Sequence, residues 1–325
     1  MLTKKILMSL AVLLGLLVIG EAGSRLIWSV SDLSLSPENA HLIDHPTRLW
    51  VQAPNARFQL PEHGALVTND LGLRDDPVQI PKPTGEHRIL SLGESSTWGH
   101  GVRREETYSA QLETMLAQAG RTVNVINAGV PAWTIQQSAV YLAEEGARLQ
   151  PDTVLIYHQT NDFLPTGAID THNPLVKLTT SDRELIERRR PLAPLLRVLF
   201  ASRLYLVLRN TMLRMPSDLP EAGTVPDGPV RVPSADRRAA LGSLRTSAES
   251  IGARLVVVQP LYAIDHSQDT LLRDWCAENH QLYIETSDIR QRLGRGLPQW
   301  FLPDGVHPRP QGHRLIAERL AERLP

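Results

Sequence analysis

The strongest constraint on this chain is a rhythm that begins at Arg88. Short apolar runs alternate with longer stretches whose apolar residues recur at helical spacing. Residues 89–92, 123–126, 154–157, 255–258 and 282–284 read as buried strands, and 108–119, 135–149, 235–251, 271–278 and 312–324 read as helices. In the first helix Leu112, Met115, Leu116 and Ala119 share a face, Thr107 or Glu106 opens it and Gly120 stops it. Strands separated by helices pair in parallel through crossovers, which predicts a parallel sheet covered on both faces. With 325 residues, 42% of them hydrophobic, the chain can bury the core of one large domain with appendages.

The ends of the predicted strands carry the chemistry. The run 89–92 breaks at Gly93, and Glu94, Ser95, Ser96 and Thr97 follow. A glycine turn there delivers Ser95 to the carboxyl edge of the sheet, where open α/β folds bind and react. A lone serine after glycine is most often a turn residue, so the other strand ends decide. They hold Asn127, Ala128 and Gly129, then Thr160, Asn161 and Asp162. A further loop brings Asp304, Gly305, Val306 and His307 between two prolines. Serine, histidine and aspartate are the parts of an activated hydroxyl nucleophile: imidazole takes the proton, and carboxylate fixes the tautomer. The N–H groups of Ser95 and Gly129 and the Asn161 amide would serve a developing oxyanion. Taken singly, Asn161 also reads as a helix cap and His307 as a turn residue. Asp162 and His158 read as structural, and His313 as a residue of the last helix rather than the base.

Together these blocks resemble those of the SGNH, or GDSL-like, hydrolase superfamily, from about Arg88 to the C-terminus. The nucleophile block is Gly93, Glu94 and Ser95, the glycine block contains Gly129, the asparagine block Asn161, and the acid–base block Asp304 and His307. The resemblance implies a three-layer α/β/α sandwich with a central parallel sheet of about five strands. It also implies a Ser95 nucleophile, a His307 base, an Asp304 orienting carboxylate, and an oxyanion hole of Ser95, Gly129 and Asn161. No metal or organic cofactor is required. The superfamily usually has Asp where this chain has Glu94, so the longer side chain is expected to shift the Ser95 elbow without abolishing chemistry. More loosely, the chain resembles membrane-tethered members that add or remove acetyl groups on extracytoplasmic polysaccharides. The implied function is a serine esterase acting on acyl esters, such as acetyl on a sugar or a lipid acyl chain. Its rivals are a polysaccharide O-acyltransferase with the same triad and a catalytically silent polysaccharide-binding or assembly protein.

The flanks place the domain. Lys4 and Lys5 precede an uncharged run over 6–20, and Trp28 suits a membrane interface. This positive-inside pattern predicts an extracytoplasmic domain, periplasmic in a Gram-negative cell. An uncleaved signal-anchor helix over 1–28 is favoured over a cleaved signal peptide, because Ala22, Gly23 and Ser24 make a poor cleavage site. Residues 29–83 read as a linker and a small extended cap, with a turn over 67–72 between two short strands. Residues 84–325 form the hydrolase-like domain, interrupted by an insertion at about 164–233. Arg197, Arg203, Arg209 and Arg214 punctuate an apolar run there, and no acidic residue occurs between Glu187 and Asp218. The segment either lies on an anionic membrane or packs on the domain with its arginines solvated; a mobile loop over 216–233 follows. The formal net charge of −1 gives no pull toward nucleic acid. A single cysteine, Cys276, rules out an intrachain disulfide and reads as a buried structural thiol. His41, His45 and His63 fit no metal-ligand spacing.

Overall fold

A computed structural model describes residues 2–28, 41–60, 64–166, 180–213, 229–264 and 268–324. The predicted linker over 29–40, His63, Arg214 and residues 216–228 of the expected mobile loop lie outside them. Helix α1 (Leu2–Ile27) opens the chain, and Lys4–Ile27 is long and apolar enough to cross a membrane. Two antiparallel hairpins follow: β1 (Leu42–His45) with β2 (Leu49–Gln52), and β3 (Arg57–Leu60) with β4 (Gly64–Val67). The turn after β4 is built by Asn69, whose side-chain oxygen accepts the N–H groups of Leu71 and Leu73, each at 3.0 Å. The described residues 73–86 beyond this turn do not form the expected second strand. Asn69 claims the Leu73 N–H, and the Arg74 guanidinium turns inward onto the carbonyls of Trp98, Gly99 and Val102.

The domain then runs β5 (His87–Gly93), α2 (Ser95–Trp98), α3 (Tyr108–Gln118), β6 (Val123–Gly129), α4 (Ile135–Leu149), β7 (Thr153–Tyr157) and α5 (Thr160–Phe163). Three helices follow: α6 (Asp182–Arg189), α7 (Ala193–Ala201) and α8 (Arg203–Leu213). Then come α9 (Ser234–Ser250), β8 (Arg254–Val258), α10 (Leu271–Glu278), β9 (Leu282–Ile284), α11 (Ser287–Leu293) and α12 (Pro310–Arg323). The five strands pair in parallel in the order β6-β5-β7-β8-β9. The three-layer sandwich expected from the resemblance is therefore the fold of this chain.

Strand alternation splits the core into two layers. Leu90, Leu92, Val154, Ile156 and Val257 pack with α4, α9 and α10, while Ile89, Leu155, Tyr157 and Val256 pack with α3, α11 and α12. Each such side chain, fully buried, contributes roughly 1.5–3 kcal/mol. Strand β6 continues past its apolar run to Gly129 because its open edge is covered. Glu113 accepts the Val125 N–H and Asp75 the Asn127 N–H, both at 2.7 Å. Carboxylates that cap an edge in this way satisfy it and block further pairing.

The segment carrying α6, α7 and α8 is tied at its ends by Arg231, whose N–H bonds the Leu164 carbonyl while its carbonyl accepts the Asp182 N–H. Its arginines divide. Arg197 is exposed, but Arg209 is neither solvated nor turned to a membrane; it pairs with Asp44 of β1 at 2.6 Å.

Candidate active site

In this strand order β5 and β7 flank the point where the chain reverses direction across the sheet, and crevices form outside the carboxyl ends of such strands. Gly93 ends β5. A Cβ there would lie 1.9 Å from Thr97 Oγ1 and 2.8 Å from the Tyr157 carbonyl, so only glycine lets α2 fold back over the strand end. Glu94 caps α2 in extended conformation. Of residues 91–99 only Ser95 reaches solvent; the rest are buried.

The loop before α12 comes to meet it. Asp304 Oδ1 accepts the N–H groups of Val306 and His307 at 2.8 and 2.9 Å, which folds the loop into a tight turn. Asp304 Oδ2 is then 2.8 Å from His307 Nδ1, and His307 Nε2 is 2.7 Å from Ser95 Oγ. Partial burial raises the Asp304 carboxyl, but the hydrogen bonds from His307 and Val306 outweigh it and hold the group well below the usual carboxylate range. Ionised Asp304 accepts Nδ1–H, which leaves Nε2 as the acceptor facing the serine hydroxyl. The longer Glu94 side chain has not displaced the elbow from His307.

Glu94 instead ties three elements together. It is fully buried; Oε1 accepts the Tyr262 hydroxyl at 2.5 Å and Oε2 accepts the Asn161 N–H at 3.2 Å. Burial raises its pKa to about 7, against the lowering effect of those two bonds. Asn161 lies at the start of α5 and donates one amide hydrogen to the Trp133 carbonyl at 3.0 Å.

Gly129 differs from expectation. Its N–H is taken by Asn127 Oδ1 at 3.0 Å, so it is not free for an oxyanion. Its glycine identity serves packing: a Cβ would lie 2.3 Å from the Trp98 nitrogen and 2.7 Å from the Thr97 carbonyl carbon. The following loop holds Ala132 at φ 61°, in the left-handed region that disfavours a side chain. Sequence reasoning missed Ala132, since nothing about an alanine advertises that conformation. Strand β2 fixes this loop: Trp50 Nε1 donates to the Pro131 carbonyl, Trp133 Nε1 to the Trp50 carbonyl, and Gln52 bonds both Gly129 and Trp98.

The remaining polar residues support the frame. Asp162 caps α4 through the Ile135 N–H at 3.0 Å and pairs with Arg237 at 3.3 Å. His158 meets Ser138 at 2.7 Å and His313 accepts the Tyr108 N–H at 3.1 Å; burial lowers both rings to about 3, so they stay neutral. Cys276 is buried, which pushes its thiol up to about 12. His41 stacks on Trp98, and His45 bonds Arg48. Among the described residues no group of three or more His, Cys, Asp or Glu side chains could hold a metal ion.

A parallel α/β/α sandwich with a hydroxyl, an imidazole and a carboxylate in line at its switch point has the architecture of a hydrolase. The profile of the GDSL-like lipase/acylhydrolase family matches residues 91–270, more than half of the chain. The chain belongs to that family, and with it to the ester-cleaving hydrolases. Similar solved structures include TesA, at 15% identity and a TM-score of 0.45, covering 73% of this chain and 98% of that one. The acetylxylan esterase Axe2 from Geobacillus stearothermophilus is 15% identical, with a TM-score of 0.46 and coverage of 73% and 93%. The psychrotrophic esterase EstA from Pseudoalteromonas sp. is 13% identical, with a TM-score of 0.46 and coverage of 73% and 96%. No curated protein matches the chain in sequence.

Proposed function

We propose that the protein is a membrane-anchored serine esterase in which Ser95, His307 and Asp304 form the catalytic triad. The observation that carries the reading is the continuous relay from Ser95 Oγ to His307 Nε2 at 2.7 Å and from His307 Nδ1 to Asp304 at 2.8 Å. Ser95 Oγ attacks the ester carbonyl carbon while His307 Nε2 takes its proton. The tetrahedral intermediate collapses, the C–O bond breaks, and the leaving alkoxide takes the proton from His307. Water, deprotonated by the same nitrogen, then attacks acyl-Ser95 and releases the carboxylic acid.

The oxyanion is held by the Ser95 N–H and by the second Asn161 amide hydrogen. The Ala132 N–H takes the place first assigned to Gly129. Ala132 immediately precedes Trp133, whose carbonyl receives Asn161, and each oxyanion donor is worth roughly 10²–10³ in rate. Residues 1–28 anchor the chain, with Lys4 and Lys5 on the cytoplasmic side and residues 84–325 catalytic outside the cytoplasm. Residues 29–83 serve as linker and cap, and 164–233 as the insertion. The substrate is an extracytoplasmic acyl ester, on a sugar or a lipid.

A fluorophosphonate probe tests this reading. It should label the protein at Ser95, and Ser95→Ala should abolish both labelling and hydrolysis of p-nitrophenyl acetate without changing the melting temperature. A variant that still turns over the ester would remove Ser95 from the mechanism. Product analysis with and without a carbohydrate acceptor separates hydrolysis from acyl transfer.

A further inference from the structure

The helical run Asp182–Ala201, which ends in α7, meets α8 at an elbow bent by 94° that is clamped to the end of α1. Glu21 of α1 accepts the Ser202 hydroxyl at 2.8 Å and the N–H groups of Arg203 and Leu204 at 3.1 and 3.0 Å, so its carboxylate caps α8. Arg25 donates to the Ala201 carbonyl at 3.0 Å, where α7 ends. Leu204 lies over Gly20, where a Cβ would come within 3.0 Å of its Cδ2. Gly20 closes the uncharged run of α1. The elbow is thus joined to α1 where its uncharged run ends.

The elbow buries one side and leaves an apolar side uncovered. Leu206 and Asn210 of α8 are buried, and Arg209 pairs with Asp44 of the cap. On the other side Leu192, Leu195 and Val198 recur every third residue, and Leu208 and Met212 every fourth, all more than half exposed. Such stripes mark one helical face. Arg190 and Arg197 are exposed among them, and no acidic residue interrupts the segment. Apolar stripes set among arginines are the chemistry of an interfacial helix on an anionic lipid surface.

The geometry points to a docked elbow: α7 and α8 lie in the interface of an anionic bilayer and hold the domain against the membrane that α1 spans. This inference rests on the proposed anchor. The 94° bend keeps the pair in the plane instead of letting it cross as a second span. Through Asp44 the elbow bears on β1, and β2 carries the Trp50 and Gln52 contacts to the loop around Ala132. The membrane contact and the catalytic pocket therefore share one rigid hairpin.

The test uses the full chain in proteoliposomes of phosphatidylglycerol and phosphatidylcholine, with an environment-sensitive fluorophore on single cysteines. Cys276 is buried and does not compete for label. Probes at Val198→Cys and Met212→Cys should shift to the blue and lose about half their emission to doxyl-lipid quenchers. A probe at Ser243→Cys, exposed on α9, should not. Exchanging Arg190 and Arg197 for glutamate should lower the quenched fraction about fivefold. Quenching at Leu13→Cys in α1 without quenching at 198 and 212 would overturn docking and leave the anchor standing. No quenching at any of the three would overturn both. Excimer emission from pyrene at position 198, in place of lipid quenching, would give the face to a second copy of the chain and refute the lipid assignment.

Discussion

Tyr262 donates its hydroxyl to Glu94 Oε1 at 2.5 Å inside the core, one residue from the hydroxyl of Ser95. A buried carboxyl in this position couples stability to pH. Burial, the larger effect, raises the Glu94 pKa from 4.5 to about 7, against the pull of Tyr262 and Asn161. The folded protein therefore keeps a proton that the unfolded chain gives up between these values, and stability falls as pH rises through that window. The loss is on the order of 3 kcal/mol. Asp162, raised to about 6 chiefly by burial, adds in the same direction. Glu94→Gln mimics the protonated group, donating to Tyr262 and accepting from Asn161. Urea unfolding at pH 5 and pH 8 should show a large drop for the parent protein and a clearly smaller one for Glu94→Gln. Equal drops would place the pH dependence elsewhere.

Asp304→Asn should separate catalysis from folding. The turn needs only the oxygen that accepts the Val306 and His307 N–H groups, and asparagine keeps one. Its amide nitrogen would then face His307 Nδ1, forcing the hydrogen onto Nε2, where it can no longer take the Ser95 proton. Turnover of p-nitrophenyl acetate should fall about 10³–10⁴-fold with an unchanged melting temperature. A loss smaller than tenfold would show that the carboxylate does not set the tautomer.

The alternation of apolar runs and helical spacings was enough to read the sheet and its covering layers, because strands buried on both faces cannot hide among polar residues. The meeting of Ser95, Asp304 and His307 was legible because each stood at a strand end or between prolines. Glu94 was legible as a departure but not as a tie, since its partner Tyr262 lies 168 residues away. Gly129 misled for a physical reason. A glycine near an active site suggests a free N–H, whereas this one is needed for the close approach of α2, and a side chain two residues away takes its hydrogen. Arg209 misled in the opposite sense, as its acceptor Asp44 belongs to a hairpin that the local pattern never mentions.

Ala132 holds φ at 61°, a conformation costing an L-residue roughly 1–2 kcal/mol. Glycine removes that cost and returns part of it through greater freedom of the unfolded chain. Ala132→Gly should therefore stabilise the protein by about 0.5–1 kcal/mol and leave kcat within about twofold, because the N–H proposed for the oxyanion is kept. A β-branched replacement, Ala132→Val, should destabilise and slow the enzyme together. Differential scanning fluorimetry with parallel ester kinetics decides, and a less stable Ala132→Gly would show that the loop is unstrained.

Gly129→Ala should act through position rather than through hydrogen bonding. The new methyl meets backbone atoms of Thr97 and Trp98, which cannot rotate away, so α2 and with it Ser95 must move. Overpacking of this kind costs about 1–3 kcal/mol, and a displacement near 1 Å at Ser95, the proposed nucleophile, costs about 10² in rate. Comparison with Asn127→Ala discriminates. That variant removes both the acceptor of the Gly129 N–H and the donor to the Thr97 carbonyl and should lose stability, but with no methyl wedged against α2 it should not reproduce the loss of rate per unit of stability.

Helix α6 is coupled to the loop around Ala132 by a buried pair. Arg231 and Asp182 have no exposed side-chain surface; the guanidinium reaches both carboxylate oxygens at 3.2 and 2.7 Å and the Ala132 carbonyl at 2.9 Å. Thr134 adds its hydroxyl to the same carboxylate at 2.9 Å. Arg231→Leu leaves Asp182 buried without its counter-charge and should cost about 3–5 kcal/mol. The double variant Asp182→Leu with Arg231→Leu removes the orphaned charge and should recover much of that stability. It should not recover activity to the same degree, since the Ala132 carbonyl still lacks its donor and the loop is free to relax. A double variant that regains stability and full kcat/KM together would uncouple α6 from the site.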